Sequence, residues 1–269
     1  MRKIVAQDCR ITENKALDRA RLYFSLKVTD FSAVRKIYPG QFVHVRVARG
    51  NDPFFRRAFS IAAYNQTSQT LQIIYKVVGK GTAIMSRLTK GDHINLIGPL
   101  GNSFASPKKS ILAVMVAGGV GLPPLCFLAE QAVATGYDPG KIFFFYGGQT
   151  KKDLIELARL RRMGIKLFPC TDDGSYGFHG FVTQALSEKM VDLDCRRTTI
   201  YGCGPEPMLA ALQELSVRQN FNGQVSLEAP MPCGVGVCLG CIKPLADEPE
   251  KYVRVCHDGP VFEIGEVSL

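Results

Sequence analysis

The stretch ILAVMVAGGVGLPPLCFLAEQAVA, residues 111–134, decides how this chain folds. Its opening, Ile111 to Ala117, is wholly apolar, as a strand covered on both faces requires. Gly118, Gly119 and Gly121 then break the run, Pro123 and Pro124 open a new segment, and LCFLAEQAV carries apolar residues at helical spacing. The segment from Ile111 to Ala129 has no charge and follows Lys108 and Lys109, so it has the look of a membrane span. The glycines and prolines in its middle argue against one and leave strand, loop, helix. The same order returns in KIFFFYGG (141–148) followed by KDLIELARLRR (152–162), and in TTIYGCG (198–204) followed by PMLAALQELSVRQ (207–219). Repeated strand–loop–helix units predict a doubly wound parallel sheet with helices on its faces.

Upstream the pattern is different. FVHVRVA (42–48), LQIIYKVV (71–78) and HINLIG (93–98) are short alternating runs separated by Gly, Pro, Asn and Asp, which predicts a small antiparallel barrel. Downstream, roughly 223–269 has few apolar residues and many Gly, Pro and Cys, too little to build a core without a staple. The expected organisation is therefore a β-barrel over 1–101, an α/β domain over 102–222 and a small C-terminal unit over 223–269. The 269 residues suffice for this, and 46% hydrophobic with 21% charged residues excludes disordered, collagenous and coiled-coil classes.

The formal charge of +9 favours anionic partners. Its basic residues are dispersed, with no Lys/Arg run and no aromatic–basic ladder, so nucleic acid is not the expected partner. The start, MRKIVAQDCRITENK, lacks the continuous apolar stretch of a secretory signal, and the cytoplasm is the expected compartment.

Of the nine cysteines, Cys9, Cys126, Cys170, Cys195 and Cys203 are scattered, whereas Cys233, Cys238, Cys241 and Cys256 crowd the last stretch. CGVGVCLGC from Cys233 gives Cys-x4-Cys-x2-Cys with a fourth Cys beyond, the plant-type spacing for a 2Fe-2S cluster. Four thiolates must converge on two irons, and Gly234, Gly236 and Gly240 let the loop wrap closely and aim N–H groups at the sulfurs. A structural zinc is the alternative, although zinc ribbons pair two Cys-x2-Cys knuckles and only one is present.

Three loops sit where an open α/β sheet binds ligands. AGGVGLPP (117–124) joins a strand to a helix, the placement that seats a pyrophosphate, but its spacing departs from G-x-G-x-x-G. The alternative is simply a tight turn. Tyr201-Gly202-Cys203-Gly204-Pro205 follows another strand and places Cys203 to touch a nucleotide, or else to fill space. TDDGSYG (171–177) offers carboxylates to ribose hydroxyls, or a solvated turn. In the barrel half, Arg57-Ala58-Phe59-Ser60 combines a cationic fork, an aromatic face and a hydroxyl, suited to a phosphate-bearing ring system.

The ordered set RAFS, IYK, GKGT, GPLGNSF, AGGVGLPP, TDDGSYG, YGCGPEPM and CGVGVCLGC resembles the ferredoxin reductase superfamily over nearly the whole chain. Within it the sequence is most similar to electron-transfer subunits of NAD-dependent, class 1B dihydroorotate dehydrogenases, whose C-x-DGPVF ending matches Cys256 to Phe262. The resemblance implies FAD held by Arg57, Ala58, Phe59, Ser60, Ile74, Tyr75, Lys76, Gly81 and Thr82. Phe59 stands where Tyr is common, which keeps a ring and removes a hydroxyl. It implies NAD at Gly119, Gly121, Asp172, Cys203 and Gly204, and a 2Fe-2S cluster on Cys233, Cys238, Cys241 and Cys256. The implied partner is an FMN-containing dihydroorotate dehydrogenase catalytic subunit, in a heterotetramer of two copies each, serving pyrimidine biosynthesis. No acid–base residue is implied. The alternatives are a subunit of an NADPH-dependent ferredoxin or sulfide oxidoreductase, some of which use Asp for the first cluster Cys, and a zinc-stapled binding module without redox chemistry.

Overall fold

The computed structural model describes residues 5–31, 36–48, 50 and 52–269. Arg2 and Lys3, which make the start of the chain basic, lie outside the described residues.

Six strands close the barrel: β1 (Val5–Ala16), β2 (Tyr23–Thr29), β3 (Phe42–Arg46), β4 (Arg57–Asn65), β5 (Thr70–Lys76) and, after the short helix α1 (Lys80–Met85), β6 (His93–Leu100). Their order is β1-β2-β5-β4-β3-β6, and every pairing is antiparallel. Alternation assigns the faces. Val43 and Val45 point inward with Leu26, Ile73 and Leu96, while Phe42 packs outside with the C-terminal segment.

The sheet predicted from residues 111–219 forms as β7 (Leu112–Gly118), α2 (Leu122–Ala134), β8 (Ile142–Gly148), α3 (Leu157–Arg162), β9 (Lys166–Thr171), β10 (Phe178–His179), α4 (Val182–Met190), β11 (Thr198–Cys203), α5 (Glu206–Arg218) and β12 (Asn222–Ser226). Ala113, Met115 and Ala117 meet α2 on one face, and Val114 and Val116 meet α4 and α5 on the other. The uncharged run at 111–129 is thus strand, turn and helix, and among the described residues no helix is long and apolar enough to cross a membrane. The helix expected from Lys152 begins only at Leu157. Asp153 accepts from the N–H and hydroxyl of Thr150, which locks a tighter turn, and Glu156 takes a left-handed φ of 59°.

Strand order is β10-β9-β8-β7-β11-β12-β15, where β15 (Val261–Glu263) comes from the C-terminal segment and runs antiparallel to β12. That segment also holds the hairpin β13 (Ile242–Pro244) and β14 (Tyr252–Arg254). The boundary expected at 222/223 therefore falls within β12, and the last unit shares the sheet. The physical reason is the one read from composition: lacking a core of its own, the segment sinks Leu227, Cys241, Val255, Cys256 and Phe262 into the core beneath α5.

Candidate active site and cluster loop

The order in which strands are added reverses at β7: β8 and β9 continue to one side, while β11 and β12 are laid down on the other, all parallel. The turn after β7 and the loop after β11 consequently face each other across the switch point, where open α/β sheets bind ligands. They pack there very closely. A Cβ on Gly121 would lie 2.1 Å from the Cys203 carbonyl oxygen, and one on Gly204 would lie 3.0 Å from the Gly118 nitrogen.

Two cavities open beside this crossing. The first, about 360 Å³, lies between the barrel and the C-terminal segment and is lined by Arg57, Ala58, Phe59, Ser60, Ile74, Tyr75, Lys76, Gly81 and Thr82. All nine barrel residues singled out from sequence are thus brought together. Their side chains do different things. The Arg57 guanidinium donates only to the carbonyls of Phe55 (2.6 Å) and Arg56 (3.3 Å), with no acidic partner among the described residues. Its charge is left for an anion. Tyr75 is 1% exposed, donates to Asn14 Oδ1 at 3.2 Å and is pushed up to about 12 by burial, so its ring belongs to the barrel interior. Phe59 leans on it with centroids 5.8 Å apart. The Thr82 hydroxyl accepts from the N–H groups of Val78 and Gly79 and so caps its own helix.

The second cavity, about 540 Å³, is lined by Gly119 and Asp172 together with Gly147, Gly148, Pro205 and Met208. Gly119 has φ +51° and open space beside it, so backbone is presented directly to the cavity. The Asp172 carboxyl is raised by desolvation, then by the neighbouring Asp173 and Asp153. Gly121, Cys203 and Gly204 do not reach this lining. Cys203 is 2% exposed, and burial raises its thiol far above the ordinary range, as for a packed side chain.

Lys76, Val120 and Glu228 line both cavities, which therefore adjoin. Glu228 escaped the sequence reading because nothing local marks it; only its place just after the edge strand β12 brings it here. Its side chain reaches solvent through the open cavities, yet the walls around it raise the carboxyl above the ordinary carboxylate range. With ligands filling both cavities that solvent is removed and burial governs. The mouth is tied by Asp153, whose Oδ1 accepts from the Tyr23 hydroxyl at 2.6 Å and from Lys76 Nζ at 3.2 Å.

In the cluster loop every one of the four sulfurs accepts a backbone N–H. Val235 and Cys238 donate to Cys233 Sγ, both at 3.5 Å, Gly240 to Cys238 Sγ at 3.5 Å, Cys256 to Cys241 Sγ at 3.5 Å, and Gly236 to Cys256 Sγ at 3.2 Å. These donors favour thiolates. Desolvation opposes the Cys233 thiolate, but the Val235 and Cys238 amides, with the nearby Val237 backbone and Cys238 thiol, lower it to about 6, while burial and the Cys241 thiol push Cys256 up to about 12. The neighbouring thiols influence one another's ionisation, Cys238 that of Cys233 and Cys241 that of Cys256. Among the described residues no three His, Cys, Asp or Glu side chains are placed to hold one metal ion. Paired thiolates with amide donors fit a binuclear iron–sulfur centre better than one tetrahedral zinc.

A barrel, an α/β sheet reversing at its nucleotide edge and an appended four-cysteine loop together define a flavin- and nicotinamide-dependent oxidoreductase with an iron–sulfur centre. Family models agree along the chain: an oxidoreductase FAD-binding domain over 8–104, an oxidoreductase NAD-binding domain over 115–214 and the iron–sulfur cluster binding domain of dihydroorotate dehydrogenase B over 228–268. The electron transfer subunits of dihydroorotate dehydrogenase B (NAD(+)) from Geobacillus kaustophilus and Bacillus caldolyticus are each 40% identical over 234 residues, covering 86% of this chain and 87% of theirs. A chain from the structure of an NADH-dependent reduced ferredoxin-NADP oxidoreductase superposes with a TM-score of 0.82 at 26% identity, over 97% of this chain and 89% of its own. The chain belongs to the family of dihydroorotate dehydrogenase B electron transfer subunits.

Proposed function

We propose that this chain relays electrons to NAD+ from an FMN-containing subunit that oxidises dihydroorotate, in a cytoplasmic complex of two copies of each chain that serves pyrimidine biosynthesis. The observation that carries the proposal is the ordering of the sites. Cys238 is exposed, Cys241 and Cys256 are buried in the same core as Phe42 and Ala58, those two line the first cavity, and the first cavity adjoins the second. An entry at the surface thus leads inward to a flavin site and on to a nicotinamide site.

In this reading residues 1–101 hold FAD, 102–222 hold NAD and 223–269 hold the cluster. FAD supplies chemistry the protein lacks, because it joins one-electron to two-electron carriers. The chain's own residues bind and orient. Arg57 meets the flavin phosphates, Ala58, Ser60 and Ile74 shape the ring site, and Gly79 to Thr82 present backbone at its edge. Gly119 lets the nicotinamide phosphates approach the turn after β7, and Asp172 accepts from a ribose hydroxyl. Gly121, Cys203 and Gly204 support that turn from behind. Cys233, Cys238, Cys241 and Cys256 ligate the cluster. Val237 and Leu239, 78% and 56% exposed on the cluster loop, give the catalytic subunit an apolar landing beside Cys238.

The likeness to the ferredoxin-NADP oxidoreductase chain favours a second reading, reduction of a ferredoxin rather than oxidation of dihydroorotate. Cys233 as first ligand supports the first. The test is the anaerobic visible spectrum of the purified chain with iron, sulfide and flavin analysis, before and after NADH, followed by co-expression with a dihydroorotate-oxidising subunit. Flavin with two irons and two sulfides, bleached by NADH and by dihydroorotate only in the complex, is expected. Activity with NADPH and ferredoxin but no such complex would overturn it.

A further inference from the structure

His44 lies at the centre of β3 between Val43 and Val45, with its side chain on the outer face beside Phe42, and it is fully buried. The two rings meet edge to face, centroids 6.4 Å apart at 84°. On its far side the imidazole lies against Gly234. A Cβ at that position would stand 2.7 Å from Nδ1, 2.9 Å from Cε1 and 3.0 Å from Cγ, and Gly234 has φ +70°. Residue 234 is glycine on both counts, and the ring presses on the cluster loop one residue from Cys233.

Among the described residues neither ring nitrogen has a hydrogen-bond partner. The Met231 backbone approaches closely enough to favour protonation, but without hydrogen-bond geometry. Burial, then the nearby Arg56 and Arg57, lower the pKa and keep the ring neutral, with one N–H to donate and one lone pair. A buried donor left unmet is costly and calls for an acceptor. Its position is fixed, since Arg56 Nη1 donates to the carbonyls of His44 and Asn95, both at 3.2 Å, clamping β3 to β6. Phe42, Ala58 and Met231 face the flavin cavity whereas His44 does not, so the ring addresses the loop side.

We infer that His44 donates its ring N–H to the sulfur centre carried by the Cys233–Cys241 loop and thereby holds that centre's reduction potential up. A donor to sulfur stabilises the more negative, reduced state, which is how outer hydrogen bonds tune such centres. His44 then belongs to both halves of the relay: its strand pairs with the flavin strand at Ala58, and its ring touches the cluster loop. The inference rests on the cluster reading given above.

The test is pulsed EPR on the reduced, cluster-loaded full chain carrying 15N-histidine. His257 packs against Gly236 and is a second histidine near the loop, so the labelled protein carries His257→Gln. A 15N coupling is expected there and is lost on adding His44→Gln. In potentiometric titration, His44→Phe shifts the cluster's reduction equilibrium about tenfold toward the oxidised form, 59 mV for one electron. His44→Gln, which keeps a donor, stays near the wild type, and the flavin potential stays put in both. A normal reduced-cluster signal without histidine coupling, or equal potentials in the Phe and Gln variants, would overturn the inference. If His44→Phe fails to assemble a cluster, the coupling experiment decides alone. Absence of any reduced-cluster signal in the wild type would remove the cluster reading itself, and this inference with it.

Discussion

Replacing Asp153 by Asn tests whether one carboxylate ties the barrel to the nucleotide sheet. Its Oδ1 receives the Tyr23 hydroxyl at 2.6 Å and Lys76 Nζ at 3.2 Å from the barrel, and its Oδ2 receives the Thr150 N–H and hydroxyl at 3.1 and 3.2 Å from its own turn. The Asp153 side chain is 16% exposed and that of Lys76 34%. A hydrogen bond to a charged acceptor contributes about 1.5–3 kcal/mol, whereas an ion pair with a third of its cation in water adds at most about 1 kcal/mol. Asn keeps the size and one oxygen, so the expected loss is about 2 kcal/mol, roughly 4 °C in Tm for a chain of this length. Desolvation opposes the charge, but Tyr23, Lys76 and Thr150 together hold the Asp153 pKa below its ordinary value. An acid lowered on folding contributes stability above its unfolded pKa and loses it as pH falls through the folded one. The wild-type advantage is therefore full at pH 7 and shrinks progressively below about pH 5. Urea unfolding followed by far-UV circular dichroism measures it, since the chain has no tryptophan. Equal stabilities at pH 7, or a difference that persists undiminished at pH 3, would refute the reasoning. Because Tyr23, Lys76 and Asp153 also line the second cavity, KM for NADH should rise while flavin content holds.

Cys238→Ser, at an exposed position, should leave the fold intact and abolish the cluster, stopping dihydroorotate-dependent NAD+ reduction but sparing NADH oxidation by artificial acceptors at the flavin; joint loss of both activities would contradict this division. Arg57→Ala should weaken FAD retention about ten- to a hundredfold, the factor for a charge-assisted contact of about 1.5–3 kcal/mol, and unchanged flavin content after gel filtration would tell against it. Gly121→Ala introduces a Cβ 2.1 Å from the Cys203 carbonyl oxygen at an ordinary φ of −72°, so the cost is steric, about 1–3 kcal/mol, read as a lowered Tm; a neutral effect would mean that the two loops part easily. Glu228→Gln should stabilise the flavin-loaded chain at pH 7, because a carboxyl whose pKa is raised on folding loses stability as pH rises above its unfolded value; the gain should vanish in acid, and stopped-flow bleaching of the flavin by NADH should slow. A destabilised variant with unchanged bleaching would contradict both parts.

Sequence alone carried the parts of the fold set by short-range patterns. Alternation in Phe42–Arg46 and Thr70–Lys76 marks a barrel, and the apolar run from Leu112 followed by glycines marks a parallel strand and its turn. The cluster cysteines were legible because three of four ligands lie on one loop, where spacing is geometry. What escaped depends on contacts between distant segments. Glu228 reaches two cavities only because β12 places it there, and Asp153 ties barrel to sheet only because the fold brings it to Tyr23, 130 positions away. Gly121 and Cys203 read as ligand-facing from their motifs, yet β7 and β11 lie side by side and press the two loops together, so backbone contact uses the space a ligand would need.

The C-terminal segment draws these levels together. A stretch too poor in apolar residues to fold alone could have hung from the sheet as a separate lobe held by metal. Instead β15 hydrogen-bonds to β12, Asn102 Nδ2 donates to the Val261 carbonyl at 2.7 Å, and Asn102 Oδ1 accepts from the Val261 N–H at 2.9 Å, so one barrel-side amide fixes the strand's height against the barrel. A relay needs that rigidity more than stability does, since electron transfer depends on the separation of its centres. A tethered lobe would let the thiols wander. Here the inner pair, Cys241 and Cys256, is sealed in the core shared with Phe42 and Ala58, while Cys238 stays at the surface. The shortage of core in the last residues thus ties the cluster loop to the flavin strand, and the poverty of the segment and the order of the sites have one cause.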